Sequence, residues 1–254
     1  MRKVNISGIP AWKRGLLAGI LGITAVGAAA GIHKRQVEMA ADSNVIVEDA
    51  SEEEAPSGEQ IKQKEESSRE TKKIALTFDD GPHKIYTEQL LDGLAERDVK
   101  ATFFLLGSNI EGKEDIIKRM SDEGHLIGNH TYYHVDITKL EQEEACKEIQ
   151  DTSERITEIT GQPVEYVRPP FGNWDKELEC EVCMIPIFWS VDTLDWTTGN
   201  ADEIVRKVVT NVEENDIILM HDSYKSTVQA ALRIIDLLEA EGYEFVTADE
   251  LILE

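Results

Sequence analysis

The chain holds 254 residues, 41% hydrophobic and 30% charged, which suffices for one sizeable packed domain with extensions. Acids outnumber bases by 50 to 26, a formal net charge of −24. That balance argues against a nucleic-acid binder, which needs a basic face to displace counterions, but not against a polysaccharide ligand, held by hydrogen bonds and stacking. Three cysteines do not make a disulfide-built scaffold.

Arg2, Lys3, Lys13 and Arg14 precede an uncharged run at 15–32, GLLAGILGITAVGAAAGI, and His33, Lys34 and Arg35 follow it. A run of about 18 apolar residues is at the lower limit for spanning a bilayer. The heavier basic flank before it favours the N-terminus inside and the remainder outside. An uncleaved signal-anchor over residues 1–35 is the expectation adopted. A signal peptide with Ala28-Ala29-Ala30 as its cleavage site is the alternative. Both put the remaining chain outside the cytoplasm, the first as a single-pass protein of the cell membrane. No cysteine lies near the run, which excludes a lipoprotein anchor. Residues 36–71, including SEEEAPSGEQIKQKEESSRETKK, have almost no large apolar side chains. They bury too little surface to offset ordering entropy and are expected to form a flexible acidic linker, leaving 72–254 as the folded domain.

From Lys72 the pattern changes. KIALTF reads as a buried strand bounded by charges and then by Asp-Asp-Gly-Pro. Residues 85–97, with Ile85, Leu90, Leu91 and Leu94 on one face, predict a helix. ATFFLL at 101–106 predicts a strand, 111–123 a helix, LIGN at 126–129 a short strand, and 141–160 a long helix with Leu140, Ala145, Ile149 and Ile156 inward. VEYVR at 164–168 and MIPIFWSV at 184–191 read as strands, 201–212 as a helix, DIILMH at 216–221 as a strand, and 227–240 as a helix. YEFVT closes the pattern before a helical turn at 248–253. Strands alternating with helices imply a mostly parallel sheet with right-handed crossovers. The expected class is α/β: a distorted (β/α) barrel of about seven parallel strands, with an open doubly wound sheet as the alternative. No glycine-rich fingerprint follows the first strand, which disfavours nucleotide binding.

Unusual polar residues cluster where these strands end. Asp79 and Asp80 follow the first; His130 and His134 the third; Arg168, Pro169 and Pro170 end the fourth; Asp192, Asp195 and Trp196 follow the fifth; His221 and Asp222 end the sixth. In a parallel barrel these ends share one rim, where active sites lie. His130 and His134 have i, i+4 spacing, which on one helical turn puts both imidazoles on one face. A carboxylate from another strand would complete a two-histidine, one-carboxylate metal site with positions open for water and substrate. A tight turn accounts for Gly81-Pro82, but not for two adjacent acids directly after a buried strand.

TFDDGP (77–82), HTYYH (130–134), RPPFG (168–172), DTLDW (192–196) and LMHD (219–222) occur in this order. This set resembles the polysaccharide deacetylases of carbohydrate esterase family four, the NodB-like domain, over about residues 72–250. The resemblance implies a distorted (β/α) barrel and metal-dependent deacetylation of a glycan. It implies Asp79 as catalytic base, His221 as catalytic acid, Asp80, His130 and His134 as metal ligands, Arg168 as the residue orienting the base, and Asp195 as the partner of His221. Trp196 and Leu219 match walls of the acetyl pocket, and the backbone N–H of Phe171 matches an oxyanion donor where many members carry Tyr. One divalent cation is implied: Zn²⁺ suits two imidazoles and a carboxylate, and Co²⁺, Ni²⁺, Mn²⁺ or Fe²⁺ fit the same ligands. The expected substrate is an N-acetylated glycan, first peptidoglycan N-acetylglucosamine, with chitin oligomers and O-acetyl xylan as alternatives. No obligate protein partner is implied. The rival readings are a non-catalytic glycan-binding module and a different metal hydrolase such as a peptidase.

Other residues read more plainly. His83 and His125 are expected in loops or at the surface, not as ligands, and Cys146 in the core. Cys180 and Cys183 are either a short-loop disulfide or simple thiols. Of the tryptophans, Trp174 is a candidate for stacking on sugar, and Trp189, within an expected strand, for the core.

Overall fold

The computed structural model describes residues 72–174, 178 and 184–253. These lie in one of two compact units, Pro56–Glu254. The 15–32 run and the expected linker lie outside the described residues. Among the described residues no helix is long and apolar enough to cross a membrane.

The elements in chain order are β1 (Lys72–Gly81), α1 (Tyr86–Glu96), β2 (Thr102–Leu105), α2 (Glu114–Asp122), β3 (Leu126–Asn129), α3 (Gln142–Thr160), β4 (Tyr166–Val167), β5 (Ile185–Pro186), β6 (Val191–Asp192), α4 (Ala201–Val209), β7 (Ile217–His221), α5 (Lys225–Ala240), β8 (Tyr243–Phe245) and α6 (Ala248–Ile252). Seven strands form a curled sheet in the order β5-β4-β3-β2-β1-β7-β6, and β8 pairs with the start of β1. Every pairing is parallel. The α/β class and the alternation of strand and helix are as expected.

β1 is central because it is covered on both faces. Ile74, Leu76 and Phe78 face the outer helices, whereas Ala75 packs inside with Phe104, Tyr166 and Ile187. A strand buried on both faces reads as a continuous apolar run instead of an alternation. Leu90, Leu91 and Leu94 of α1 and Ile234, Ile235 and Leu238 of α5 close the outer layer, all fully buried. Each such side chain contributes roughly 1.5–3 kcal/mol by leaving water. Ile85, expected inward, precedes the first turn of α1 and is exposed. Inside the curl, Gly128 of β3 makes room for the Phe104 ring: a β-carbon there would fall 2.5 Å from it. That ring carries the Arg168 guanidinium on its face at 4.2 Å.

The apolar run at 184–191 is not one strand. β5 pairs only with β4, β6 only with β7, and 187–190 joins them outside the ladder. The reason is visible in the acceptors: the carbonyls of Ile187 and Phe188 accept hydrogen bonds from Arg168 Nε and Nη2, each at 3.2 Å. These carbonyls serve a buried guanidinium, while the N–H groups of Ile187 and Ser190 still donate to the Val167 and Ile217 carbonyls at 2.8 and 3.0 Å, and the sheet stays open between β5 and β6.

Candidate active site

The ends of β1, β3, β4, β6 and β7 deliver their polar residues to one rim. At β1 the register against β2 shifts between Asp79 and Gly81. The extra residue, Asp80, sits in the left-handed region at φ 68°. A bulge re-aims the side chains on either side of it, so two adjacent carboxylates diverge. Asp79 turns inward and is 3% exposed; Asp80 turns toward the histidines.

Asp79 Oδ1 accepts a 2.9 Å hydrogen bond from Arg168 Nη1, which also donates to Thr77 Oγ1 at 2.6 Å. Burial lowers the Arg168 pKa, and the charge and hydrogen bond of Asp79 oppose that shift. Its five donors in a rigid fork suit a site that offers a carboxylate, a hydroxyl and two carbonyls.

Asp80 Oδ1 lies 3.5 Å from His130 Nε2 and 3.6 Å from His134 Nε2. These separations are too long for hydrogen bonds, and Asp80 Oδ1 is buried without a hydrogen-bond partner. Donors bound to one ion at about 2.0–2.2 Å in a tetrahedral arrangement lie roughly 3.3–3.5 Å apart, so the three residues fit a single metal ion. His130 Nδ1 is 2.6 Å from the Arg168 carbonyl. A carbonyl only accepts, so Nδ1 carries the proton and Nε2 presents its lone pair to Asp80 and His134, the usual arrangement behind a metal-binding imidazole. The i, i+4 pair does not lie on a helical turn as expected. Residues 130–134 form a loop in which Thr131 (φ 63°) and His134 (φ 56°) are left-handed. Backbone strain, not helical periodicity, brings the imidazoles together.

His221 Nδ1 is 2.8 Å from Asp195 Oδ1, and the His221 N–H donates to Asp195 Oδ2 at 2.7 Å. Thr227 Oγ1 donates to the same oxygen at 2.7 Å. Burial works against the charged imidazole, but the hydrogen bond and charge of Asp195, with Asp79 and Asp80, raise its pKa to about 9. Burial likewise opposes the Asp195 charge, and the hydrogen bonds from His221 and Thr227 hold its pKa below the ordinary value.

A cavity of about 400 Å³ opens over these groups, walled by Phe171, Trp189, Trp196, Leu219 and Tyr224. Phe171 is 63% exposed, stacks edge-on against His134 at 4.8 Å, and is left-handed at φ 61°. Its N–H has no hydrogen-bond partner among the described residues. A non-glycine residue held there costs on the order of 1–3 kcal/mol, a strain typical of ligand-binding positions.

Every expected site residue is therefore at this rim. Trp189, expected in the core, instead walls the cavity, because 187–190 leaves the ladder; Trp174 packs against Ile137, Ala145 and Ile149. His83 is a loop residue whose Nδ1 accepts the N–H groups of Ile85 and Tyr86 at the start of α1. His125 is likewise a loop residue, between α2 and β3, but it is buried, and its Nδ1 accepts the Ala101 N–H at 3.1 Å. Cys146 is half-buried and disulfide-bonded instead of a core thiol; Cys180 and Cys183 lie outside the described residues. Sequence reasoning missed Thr77, Tyr224 and Thr227. It also missed Asn109, whose side chain donates to the Asp80 carbonyl at 2.8 Å. None of these carries a signal beyond nearness to a motif.

Residues 66–182 match the family model described as polysaccharide deacetylase. The chain is 40% identical over 184 residues to the peptidoglycan-N-acetylglucosamine deacetylase PgdA of Listeria monocytogenes, covering 72% of this chain and 40% of that protein. The chain thus spans about two fifths of that relative's length. It is 34% identical over 197 residues to a chitooligosaccharide deacetylase of Rhizobium leguminosarum, covering 70% of this chain and 91% of that one. Among solved structures it is similar to the peptidoglycan deacetylase PdaC from Bacillus subtilis, with 40% identity, 72% of this chain and 90% of that chain covered, and a TM-score of 0.69. By this kinship in sequence and in fold, the chain belongs to the polysaccharide deacetylase family, the NodB-like domain of carbohydrate esterase family four.

Proposed function

We propose that this chain is a metal-dependent hydrolase that removes acetyl groups from an N-acetylated cell-surface glycan, with N-acetylglucosamine of peptidoglycan as its substrate. One observation carries the reading. A buried carboxylate and a half-buried imidazole, each braced by its own partner, flank one metal-binding trio: Asp79 Oδ2 is 3.7 Å from His130 Nε2, and His221 Nε2 is 4.0 Å from Asp80 Oδ2.

An amide is a poor electrophile with a poor leaving group. A divalent cation held by Asp80, His130 and His134, Zn²⁺ foremost, supplies Lewis acidity and lowers the pKa of water at the site. Arg168 fixes Asp79 through Oδ1 and leaves Oδ2 to accept the proton of the attacking water as general base. The water oxygen bonds to the acetyl carbon, and the Phe171 N–H donates to the oxyanion that develops. A donor of this kind is worth about 2.7–4 kcal/mol elsewhere. His221, cationic at neutral pH, gives its Nε2 proton to the departing amine as the C–N bond breaks, and Asp195 steadies it through Nδ1. Leu219 and Trp196 give the acetyl methyl apolar walls. The products are acetate and a free amino sugar.

The choice of peptidoglycan is supported by the relatives named for it and agrees with the expectation from sequence of a membrane anchor with the remaining chain outside the cytoplasm. The test offers the full-length chain purified peptidoglycan, chitin oligomers and acetylated xylan, and measures acetate together with new amino groups. Equal acetate and glucosamine from peptidoglycan is the expected result. Acetate from chitin oligomers or xylan alone would reassign the substrate. Glycan binding with no acetate would make the chain a binding module, and amino-acid release would make it a peptidase.

A further inference from the structure

The loop between the two metal-binding histidines has no regular secondary structure, so its backbone groups must find partners one by one. Thr131 N–H donates to Asn129 Oδ1 at 2.7 Å. The carbonyls of Thr131 and Tyr132 accept from Gly107 and Ser108 N–H at 3.1 and 3.0 Å. Val135 N–H reaches Thr131 Oγ1 at 3.3 Å. Of the three N–H groups between the ligands, those of Tyr132 and Tyr133 remain. Both donate to one oxygen, Glu148 Oε2, at 2.9 and 2.8 Å.

Glu148 belongs to α3, a helix of 19 residues anchored to β3 beside it: Asn129 Nδ2 donates to the Ile149 carbonyl at 2.7 Å and to Ser153 Oγ at 2.8 Å. Two turns further along α3, Arg155 stands over the Tyr132 ring at 5.4 Å. The Cδ2–Cε2 edge of that ring abuts Gly107, where a β-carbon would collide with it. The loop is thus pressed between a glycine and a helix, and one carboxylate spans its midpoint. Hydrogen bonds to an ionised acceptor are roughly twice as strong as neutral ones.

We propose that Glu148 is a positioning residue for the metal site: by accepting both N–H groups between the ligands, its carboxylate holds the strained loop in the shape that points His130 and His134 at Asp80. The inference rests on the reading of Asp80, His130 and His134 as metal ligands. Without Glu148 the N–H groups of Tyr132 and Tyr133 lose their acceptor, the left-handed residues that flank them at 131 and 134 lose that restraint, and the imidazoles no longer converge before an ion arrives.

The test is zinc affinity of the full-length chain, measured by competition with a chromogenic chelator and therefore independent of acetate release. Glu148→Ala is expected to weaken zinc binding by roughly 10–100-fold, the usual effect of removing a residue that supports metal ligands. Glu148→Gln, which keeps an oxygen at the same reach, is expected to bind zinc nearly as the parent does. Ile156→Val, a core substitution on the same helix, controls for general loosening of α3: it is expected to lower the melting temperature without changing zinc affinity. Parent-like zinc affinity in Glu148→Ala, or an equal loss in Ile156→Val, would overturn the proposal. A parent chain that binds no zinc would overturn the underlying reading of the trio instead.

Discussion

Arg168 Nη1 and Asp79 Oδ1 form a 2.9 Å ion pair in which the side chains are 0% and 4% exposed. Such a pair is costly to break from one side, because the survivor stays buried and uncompensated. Arg168→Met is expected to destabilise the fold by about 3–5 kcal/mol, read as a lower denaturant midpoint. Arg168→Lys restores a point charge but not the fork that also serves Thr77, Ile187 and Phe188. It is therefore expected to recover part of the stability while acetate release stays low. Full activity in the lysine variant would show that the fork does not place Asp79.

The His221 imidazole, braced by Asp195, has its pKa raised to about 9. The folded value lies above the ordinary one of about 6.5. The stability that this pair contributes is therefore complete below about pH 6.5 and is lost as pH rises through about 9. Asp195→Asn removes the charge that holds the proton. In the metal-free chain, the His221 titration followed by NMR is expected to move down toward neutrality, and the fall in stability between pH 6.5 and 9 to flatten. An unmoved titration would mean that Asp195 does not set the protonation state.

How far the site can be read from sequence follows from where each signal resides. Asp79, Asp80, His221 and Arg168 stand out because ionisable residues rarely end buried strands. Their meeting follows from parallel topology alone, since every strand delivers its C-terminal end to the same rim. Glu148 gives no such signal. It is one acid among several on a helix with an exposed face, and its role exists only once α3 has packed beside the His130–His134 loop. The apolar run at 184–191 looks like one strand because hydrophobicity does not reveal that Arg168 takes its carbonyls. Trp189 reads as a core residue for the same reason. The i, i+4 histidines suggest a helix, and the positive φ of Thr131 and His134 is invisible to any periodicity.

His125 offers a pH dependence away from the chemistry. Burial lowers its pKa to about 4, against the opposing pull of Glu123. The unfolded chain therefore binds this proton before the folded one does. Stability is lost as pH falls from about 6.5 toward 4, by on the order of 3 kcal/mol in all. His125→Asn, which keeps an acceptor for the Ala101 N–H, is expected to flatten the acid limb of a stability profile between those values. An unchanged limb would assign acid sensitivity to other groups.

The central claim is that Asp79 acts as a base beside a metal held by Asp80, His130 and His134. Its most direct test is acetate release from purified peptidoglycan by the full-length chain, stripped of metal, refilled with zinc, and compared with a zinc-loaded Asp79→Asn variant. The account predicts no release without metal, release on refilling, and a loss of about 10²–10⁴-fold in Asp79→Asn, the usual worth of a positioned general base. Undiminished acetate release from the metal-free chain, or from Asp79→Asn, would contradict it.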